Sequence, residues 1–377
     1  MHYRQNVHVS FGGFSVGAPQ PRPEWIAFDS GTASYLSVPA RLNGLPVRGV
    51  VDTGASRSVL SAKLLGQIGA QPVGSTLATM FTARYSLPLY RIGRLEAGGI
   101  AATGLDVACH DLAMVEAAFP GEGAMVIGRD FLTRAVLECQ FSQSRLRIMA
   151  DFAPEKVAGY TRLELGRSFH GLPIIAAKIE GLEAERAVVD LGSNLVCTMS
   201  ERYARDAGLL CRPSSTTMSA GLEGRAVGMQ ITLRALRIGD HVLRDVPACV
   251  IPNWSLDAPL NLGWPAFGAF DLAFVFDREL RIRADETLLR APLPRDRSGI
   301  GAQRFGDHLL VRHVSPLSPA DRQGLVEGDR IIAIDGVPVD ASNPARGRRL
   351  GGQSVGTTMA LTLERGREIS LVLQDYF

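Results

Sequence analysis

Two short stretches carry carboxylates in a pattern that could do chemistry. In VRGVVDTGASRSVLS, residues 47–61, an apolar run ends in Asp52-Thr53-Gly54. In ERAVVDLGSNLVCTMS, residues 185–200, a second apolar run ends in Asp190-Leu191-Gly192-Ser193, the acid lying 138 residues after Asp52. A carboxylate at the end of a strand is costly to bury unless another group pairs or uses it. Two carboxylates held a hydrogen bond apart do not both ionise easily and share one proton. One of them can then accept a proton from water while the other polarises a carbonyl. Such chemistry needs neither a metal nor a covalent intermediate.

The surrounding elements repeat along with the acids. YLSVPARLNGLPVRGVV, residues 35–51, reads as two strands around Asn43-Gly44, a strong hairpin signal, so Asp52 leaves the end of a strand. GLPIIAAKIEGLEAERAVVD, residues 171–190, reads likewise, with its turn at Gly181 and Val188-Val189 before Asp190. The stretches SAKLLGQIGAQ from Ser61 and SERYARDAGLL from Ser200 each predict a short helix with a serine N-cap, ending near Gly69 and Gly208. LEAGGIAATGLDVAC and LRIGDHVLRDVPAC follow, and then Val126-Ile127-Gly128 and Asn261-Leu262-Gly263. From acid to that glycine is 76 residues in the first copy and 73 in the second. SRLRI at Ser144 and ELRI at Glu279 close the two units, so a domain has been duplicated.

VVDTGASRSVLS together with MVIGRDFL resembles the retropepsin-like branch of the aspartic proteases, and VVDLGSN with LNLGWPAF resembles a second, diverged copy. The resemblance covers residues 30–285. It implies two small closed β-domains meeting at a cleft, with Asp52 and Asp190 as the catalytic pair and no cofactor or metal. Gly54 and Gly192 would let each loop approach the other lobe. The family's threonine hydroxyl reaches across to the other lobe's main chain, which Thr53 can do and Leu191 cannot. At the next position Ala55 has no hydroxyl, whereas Ser193 could donate one to Asp190, which would make Asp190 the readier anion and Asp52 the readier acid. Arg129, followed by Asp130, would brace the pair through a carboxylate or a backbone carbonyl. Flap hairpins are expected at STLATMFTARYSLPLYRI from Ser75 and STTMSAGLEGRAVGMQITL from Ser215, the second with its tip at Gly221 to Gly224; both read equally as ordinary solvent-facing hairpins.

After ADETLLRAPLPRDRSG the composition changes. SPADRQGLVEGDRIIAIDG has Ser318-Pro319-Ala320 opening a short helix, a turn at Gly328-Asp329, and a strand running into Asp335-Gly336. TTMALTLERGREISLVL adds two strands around Arg365-Gly366. Residues 298–377 resemble a PDZ domain of the bacterial protease-associated kind. The resemblance implies that a peptide adds as an extra strand, its terminal carboxylate caught by backbone amides at Gly299, Ile300, Gly301 and Ala302, with a helix near residues 345–350 as the other wall. A purely structural lid on the protease is the other reading of this domain.

Composition bounds the remainder. A chain of 377 residues suits two or three domains, and 46% hydrophobic with 21% charged residues is globular. Its 40 basic and 38 acidic residues are scattered, so nothing asks for a nucleic-acid groove. Five widely spaced cysteines without C-x-x-C argue against a disulfide framework or zinc knuckle. There is no H-E-x-x-H, SFHGLP lacks a Gly-x-Ser-x-Gly nucleophile elbow, and no Gly-Lys-Ser/Thr follows the glycine loop. No long apolar span and no signal-like h-region is present, so the chain as written is expected to be cytoplasmic, or periplasmic behind a longer N-terminus.

The expected fold is mostly β: a bilobal unit of two tandem retropepsin-like acid-protease β-barrel lobes, followed by an α+β PDZ domain. The expected divisions are an extension over 1–30, lobes over 31–150 and 160–285, a linker over 286–297, and the PDZ domain over 298–377. The expected function is aspartic endopeptidase action on peptide or protein substrates, with the PDZ domain binding peptides or protein C-termini. Two rivals stay open: a catalytically impaired peptide-binding or scaffold protein, and a protease active only as a homodimer through Asp52.

Overall fold

In the computed structural model of the chain, the described residues are 24–28, 35–119, 121–150, 159–183, 185–221, 224–276, 278–340, 343 and 350–377. Most of the expected extension 1–30 therefore lies outside them. Strands Ser37–Leu42 and Leu45–Val51 pair antiparallel around Asn43 and Gly44, which take φ of 48° and 85°. Positive φ at both turn residues matches the right-handed twist of the flanking strands and suits asparagine and glycine. The predicted serine caps are present, Ser61 Oγ accepting from Leu64 N at 3.3 Å and Ser200 Oγ from Tyr203 N at 3.1 Å.

Each lobe places its acid by the same device. Strand Leu45–Val51 runs parallel to Ala124–Ile127, with Val126 opposite Val50 and Ile127 opposite Val51. Strand Glu185–Asp190 runs parallel to Leu260–Gly263, with Asn261 opposite Val188 and Gly263 opposite Asp190. A further short strand, Val59–Leu60 or Cys197–Ser200, pairs antiparallel on the other side of the returning strand. The returning strands are buried along their whole length, as apolar central strands covered on both faces must be.

The first lobe forms a nine-stranded sheet and the second an eight-stranded one. A six-stranded sheet joins them, Val136–Gln140 of the first lobe pairing with Phe270–Val275 of the second. One apolar core runs through both lobes and includes Phe131, Leu137, Phe267, Phe270 and Phe274. The PDZ domain has its own core around Val311, Ile331, Leu361 and Leu371, and strand Ile300–Phe305 lies at the edge of its sheet. The linker is no loose tether. Arg295 donates to Thr232 Oγ1 and to the Asp245 carbonyl, both at 3.1 Å, and Arg297 pairs with Asp375 at 2.8 Å. These bonds seat the PDZ domain against the second lobe. No helix among the described residues is long and apolar enough to cross a membrane.

Candidate active site

Asp52 and Asp190 come together at the junction of the lobes, within hydrogen-bonding range of each other. Each is gripped by its own loop. Asp52 Oδ1 accepts from Gly54 N at 2.8 Å and Ala55 N at 2.9 Å, and Asp190 Oδ1 from Gly192 N at 3.0 Å and Ser193 N at 3.2 Å. Each glycine abuts the opposite carboxyl. A Cβ on Gly54 would stand 2.8 Å from Asp190 Oδ1, and one on Gly192 would stand 2.3 Å from Asp52 Cγ. No side chain fits there, so glycine is required in both loops.

Across the junction Thr53 Oγ1 donates to the Val189 carbonyl at 2.6 Å and accepts from Leu191 N at 2.9 Å. Leu191 is fully buried and has no hydroxyl to return these bonds, so the cross-lobe clamp is one-sided. Arg129 is buried and donates to the carbonyls of Thr53 and Gly54 at 2.8 and 2.9 Å. Its bracing acts through these backbone carbonyls. Asp130 accepts from Ser58 N and Oγ, and Ser58 Oγ accepts from Gly128 N, tying the motif glycine to the Asp52 loop.

The Ala55/Ser193 difference does not act on Asp190 through the serine hydroxyl. The Ser193 hydroxyl oxygen accepts from Leu195 N at 3.4 Å, and it is the Ser193 amide that reaches Asp190. Burial raises both carboxyls above the ordinary range. For Asp52 this is opposed by the Ala55 and Gly54 amides and by the positive charge of Arg129. For Asp190 burial and then the charge of Asp52 push the pKa to about 7. The burial that raises both carboxyls suits a pair that shares one proton.

The aspartyl protease family matches residues 38–131 and 175–266, and the PDZ family matches residues 310–365. The chain carries two aspartyl protease domains and a PDZ domain. HhoA, a candidate serine protease of Synechocystis sp., is 41% identical over 70 residues, which are 18% of this chain and 17% of that protein. The crystal structure of conglutin gamma, a basic 7S globulin from lupine seeds, aligns with a TM-score of 0.42 at 11% identity, over 70% of this chain and 96% of that one.

The two protease domains use their hairpins differently. In the first domain Gln71–Thr79 and Arg84–Arg91 pair, and the tip closes with Met80 N donating to the Ala83 carbonyl at 2.8 Å. This tip reaches the second domain: Ser255 N donates to the Phe81 carbonyl at 2.7 Å, and the Phe81 and Trp254 rings lie 5.2 Å apart. In the second domain Ser214–Gly221 pairs with Gly224–Ile238 and leans on the PDZ domain. Ser215 Oγ donates to the Pro316 carbonyl at 2.7 Å, and Thr216 Oγ1 lies 2.9 Å from His313 Nε2. Residues 222–223, within the expected tip, lie outside the described residues.

In the PDZ domain the glycine loop is partly engaged by the chain itself. Asp296 accepts from Gly299 N at 2.6 Å, from Ser298 Oγ at 2.7 Å and from the Tyr376 hydroxyl at 2.8 Å. Ile300 N donates to Ser298 Oγ at 3.1 Å, so neither the Gly299 nor the Ile300 amide is left open. Gly301 and Ala302 lie in the edge strand Ile300–Phe305, and Gly301 lies beside Met218 of the second hairpin. Residues 344–349, where the groove's other wall was expected, lie outside the described residues.

One residue at the pair escaped sequence reading. Asn261 is 1% exposed and its Nδ2 donates to Asp190 Oδ2 at 3.2 Å. The signal was a polar residue standing where the first copy has Val126.

Proposed function

We propose that the chain is an aspartic endopeptidase in which Asp52 and Asp190 of one molecule activate water against a peptide bond. The observation that carries this reading is the reciprocal fit of Gly54 against Asp190 and Gly192 against Asp52, which leaves the two carboxyls a shared proton and little else to do with it. Asp52, backed by two amides and Arg129, takes a proton from the attacking water. Asp190 gives its proton to the scissile carbonyl oxygen as the water oxygen bonds to the carbonyl carbon. The resulting diol collapses when the pair returns one proton to the leaving nitrogen and takes the other from a hydroxyl, so the C–N bond breaks and the pair is restored. The first-domain hairpin, closed onto Trp254 and Ser255, is placed to lie over an extended substrate and keep bulk water out. The PDZ domain serves as a recruiting site for peptide segments, C-termini among them.

Cleavage of a diverse peptide mixture, read by mass spectrometry from acid to neutral pH, tests the assignment. The parent is expected to cut from acid pH toward neutrality, because the upper ionisation of the pair lies at about 7. Asp52→Asn and Asp190→Asn are each expected to lose roughly a thousandfold or more. Retained cutting by Asp190→Asn, with activity dependent on dimer formation, would move catalysis to a pair of Asp52 residues. A parent that never cuts would leave the peptide-binding scaffold as the better reading.

A further inference from the structure

The two carboxyls receive unequal help, and the help comes from non-equivalent positions. Arg129 follows the motif glycine of the first lobe and Trp264 that of the second, a correspondence marked by their backbones: Arg129 N donates to the Ala55 carbonyl at 2.9 Å and Trp264 N to the Ser193 carbonyl at 3.0 Å. The second lobe thus has no guanidinium at that place. Two positions before the motif glycine the balance is reversed. Val126 sits opposite Val50 in an apolar cluster, while Asn261, opposite Val188 in the same register, turns a buried amide onto Asp190.

We propose that Asn261 is a positioning residue of the pair, holding the second oxygen of Asp190 in place and supplying the second lobe with the anion support that Arg129 gives the first. This rests on the endopeptidase reading above. The groups that act on Asp190 are the Asp52 carboxyl across the junction, the Gly192 and Ser193 amides of its own loop, and Asn261 from the returning strand. Arg129 and Tyr35 act on the pair through Asp52. Of these, only Asn261 contacts Asp190 Oδ2 by a hydrogen bond from a neutral side chain, so its removal changes the polarity at one oxygen without altering any formal charge. An N–H donor favours the ionised over the protonated carboxyl. Asn261 therefore lets Asp190 lose its proton at a lower pH than burial beside Asp52 would dictate, and it sets the alkaline edge of the working range.

The test is the pH profile of kcat/KM, which reports the free enzyme's ionisations, for the parent, Asn261→Val and Asn261→Ser on one peptide. It is run beside a titration of the carboxyl carbons in 13C-aspartate-labelled protein. Valine is the residue the first lobe carries at this position, and serine takes less room, so a folding failure of one leaves the other. In both variants the alkaline limb and the upper carboxyl titration are expected to rise by about one pH unit, the weight of one hydrogen bond to a charged group, while the acid limb stays in place. Limbs that superimpose on the parent's, with only the amplitude reduced, would reduce Asn261 to a packing residue and overturn the proposal. A parent that cuts nothing would defeat the endopeptidase reading alone. The carboxyl titration would still decide on Asn261, an unshifted upper step counting against it.

Discussion

In the first lobe the Asp52 loop is braced by polar side chains: Arg129 on the carbonyls of Thr53 and Gly54, and Asp130 on Ser58. In the second lobe the matching places hold Trp264, Pro265 and Val196, so apolar side chains stand where the first lobe has polar ones, with Asn261 as a polar contact from the returning strand. The backbones nevertheless agree closely, each acid carboxyl taking two loop amides and each motif glycine packing under its loop, where a Cβ would stand 2.4 Å from Arg57 C or 2.0 Å from the Leu195 carbonyl oxygen. Backbone geometry at such a junction is held by steric contacts that admit only glycine. The side chains that support it are interchangeable so long as buried polar groups find partners. The hairpins diverge in the same spirit, one latched across to the other lobe and one leaning on the PDZ domain.

After the loss of cleavage expected for either aspartate, the sharpest way to separate the lobes is at the clamp. Thr53→Val removes the hydroxyl from two buried bonds and strands the Leu191 amide and the Val189 carbonyl, so it is expected to cost about 2–4 kcal/mol in denaturant unfolding. Leu191→Thr, the reverse change in the other lobe, is expected to alter stability by no more than about 1 kcal/mol, since lost apolar burial offsets whatever bond the new hydroxyl makes. Equal effects would mean that the clamp is symmetric after all.

A smaller effect should appear in the pH dependence of stability. The folded-state pKa of Asp190 is raised to about 7 from an ordinary value of 3.8, so between these values the folded protein holds a proton that the unfolded chain has released. That contribution is complete below the ordinary value and is lost as the pH climbs through 7. Asp190→Asn removes the loss, so thermal midpoints at pH 7 should rise relative to the parent by more than they do at acid pH. With Asp190 as the proposed proton donor, Asp52→Asn should gain less. A larger gain for Asp52→Asn would reverse the proton assignment.

The smallest effects concern the hairpins. His313→Ala deletes the PDZ partner of Thr216 and is expected to speed amide exchange in residues 214–221 about fivefold, the weight of a bond of about 1 kcal/mol, without touching the first hairpin. Trp254→Ala should do the converse, loosening residues 80–83 alone. Cross-talk between the two would show that the hairpins move as one.

Much of this molecule is written locally. Asn43-Gly44 can hardly be anything but a tight turn, Ser61 and Ser200 announce their helices, and the acid-x-glycine motifs and their return strands repeat at spacings of 76 and 73 residues. Those signals depend on neighbours a few residues away, and they were enough to identify a duplicated two-lobe unit, the pair Asp52 and Asp190, and the asymmetry at Leu191. What sequence could not settle were choices among partners. Ser193 has a hydroxyl that could have served Asp190, yet the loop turns its amide there and leaves the oxygen to Leu195. Gly299 and Ile300 have amides that could have waited for a ligand, yet Asp296 and Ser298 take them. Asn261 stands 71 residues from the carboxyl it serves. A donor or acceptor has a fixed chemistry but no fixed address. Which partner it finds is decided only when the lobes close, water is expelled and every buried polar group must be paired.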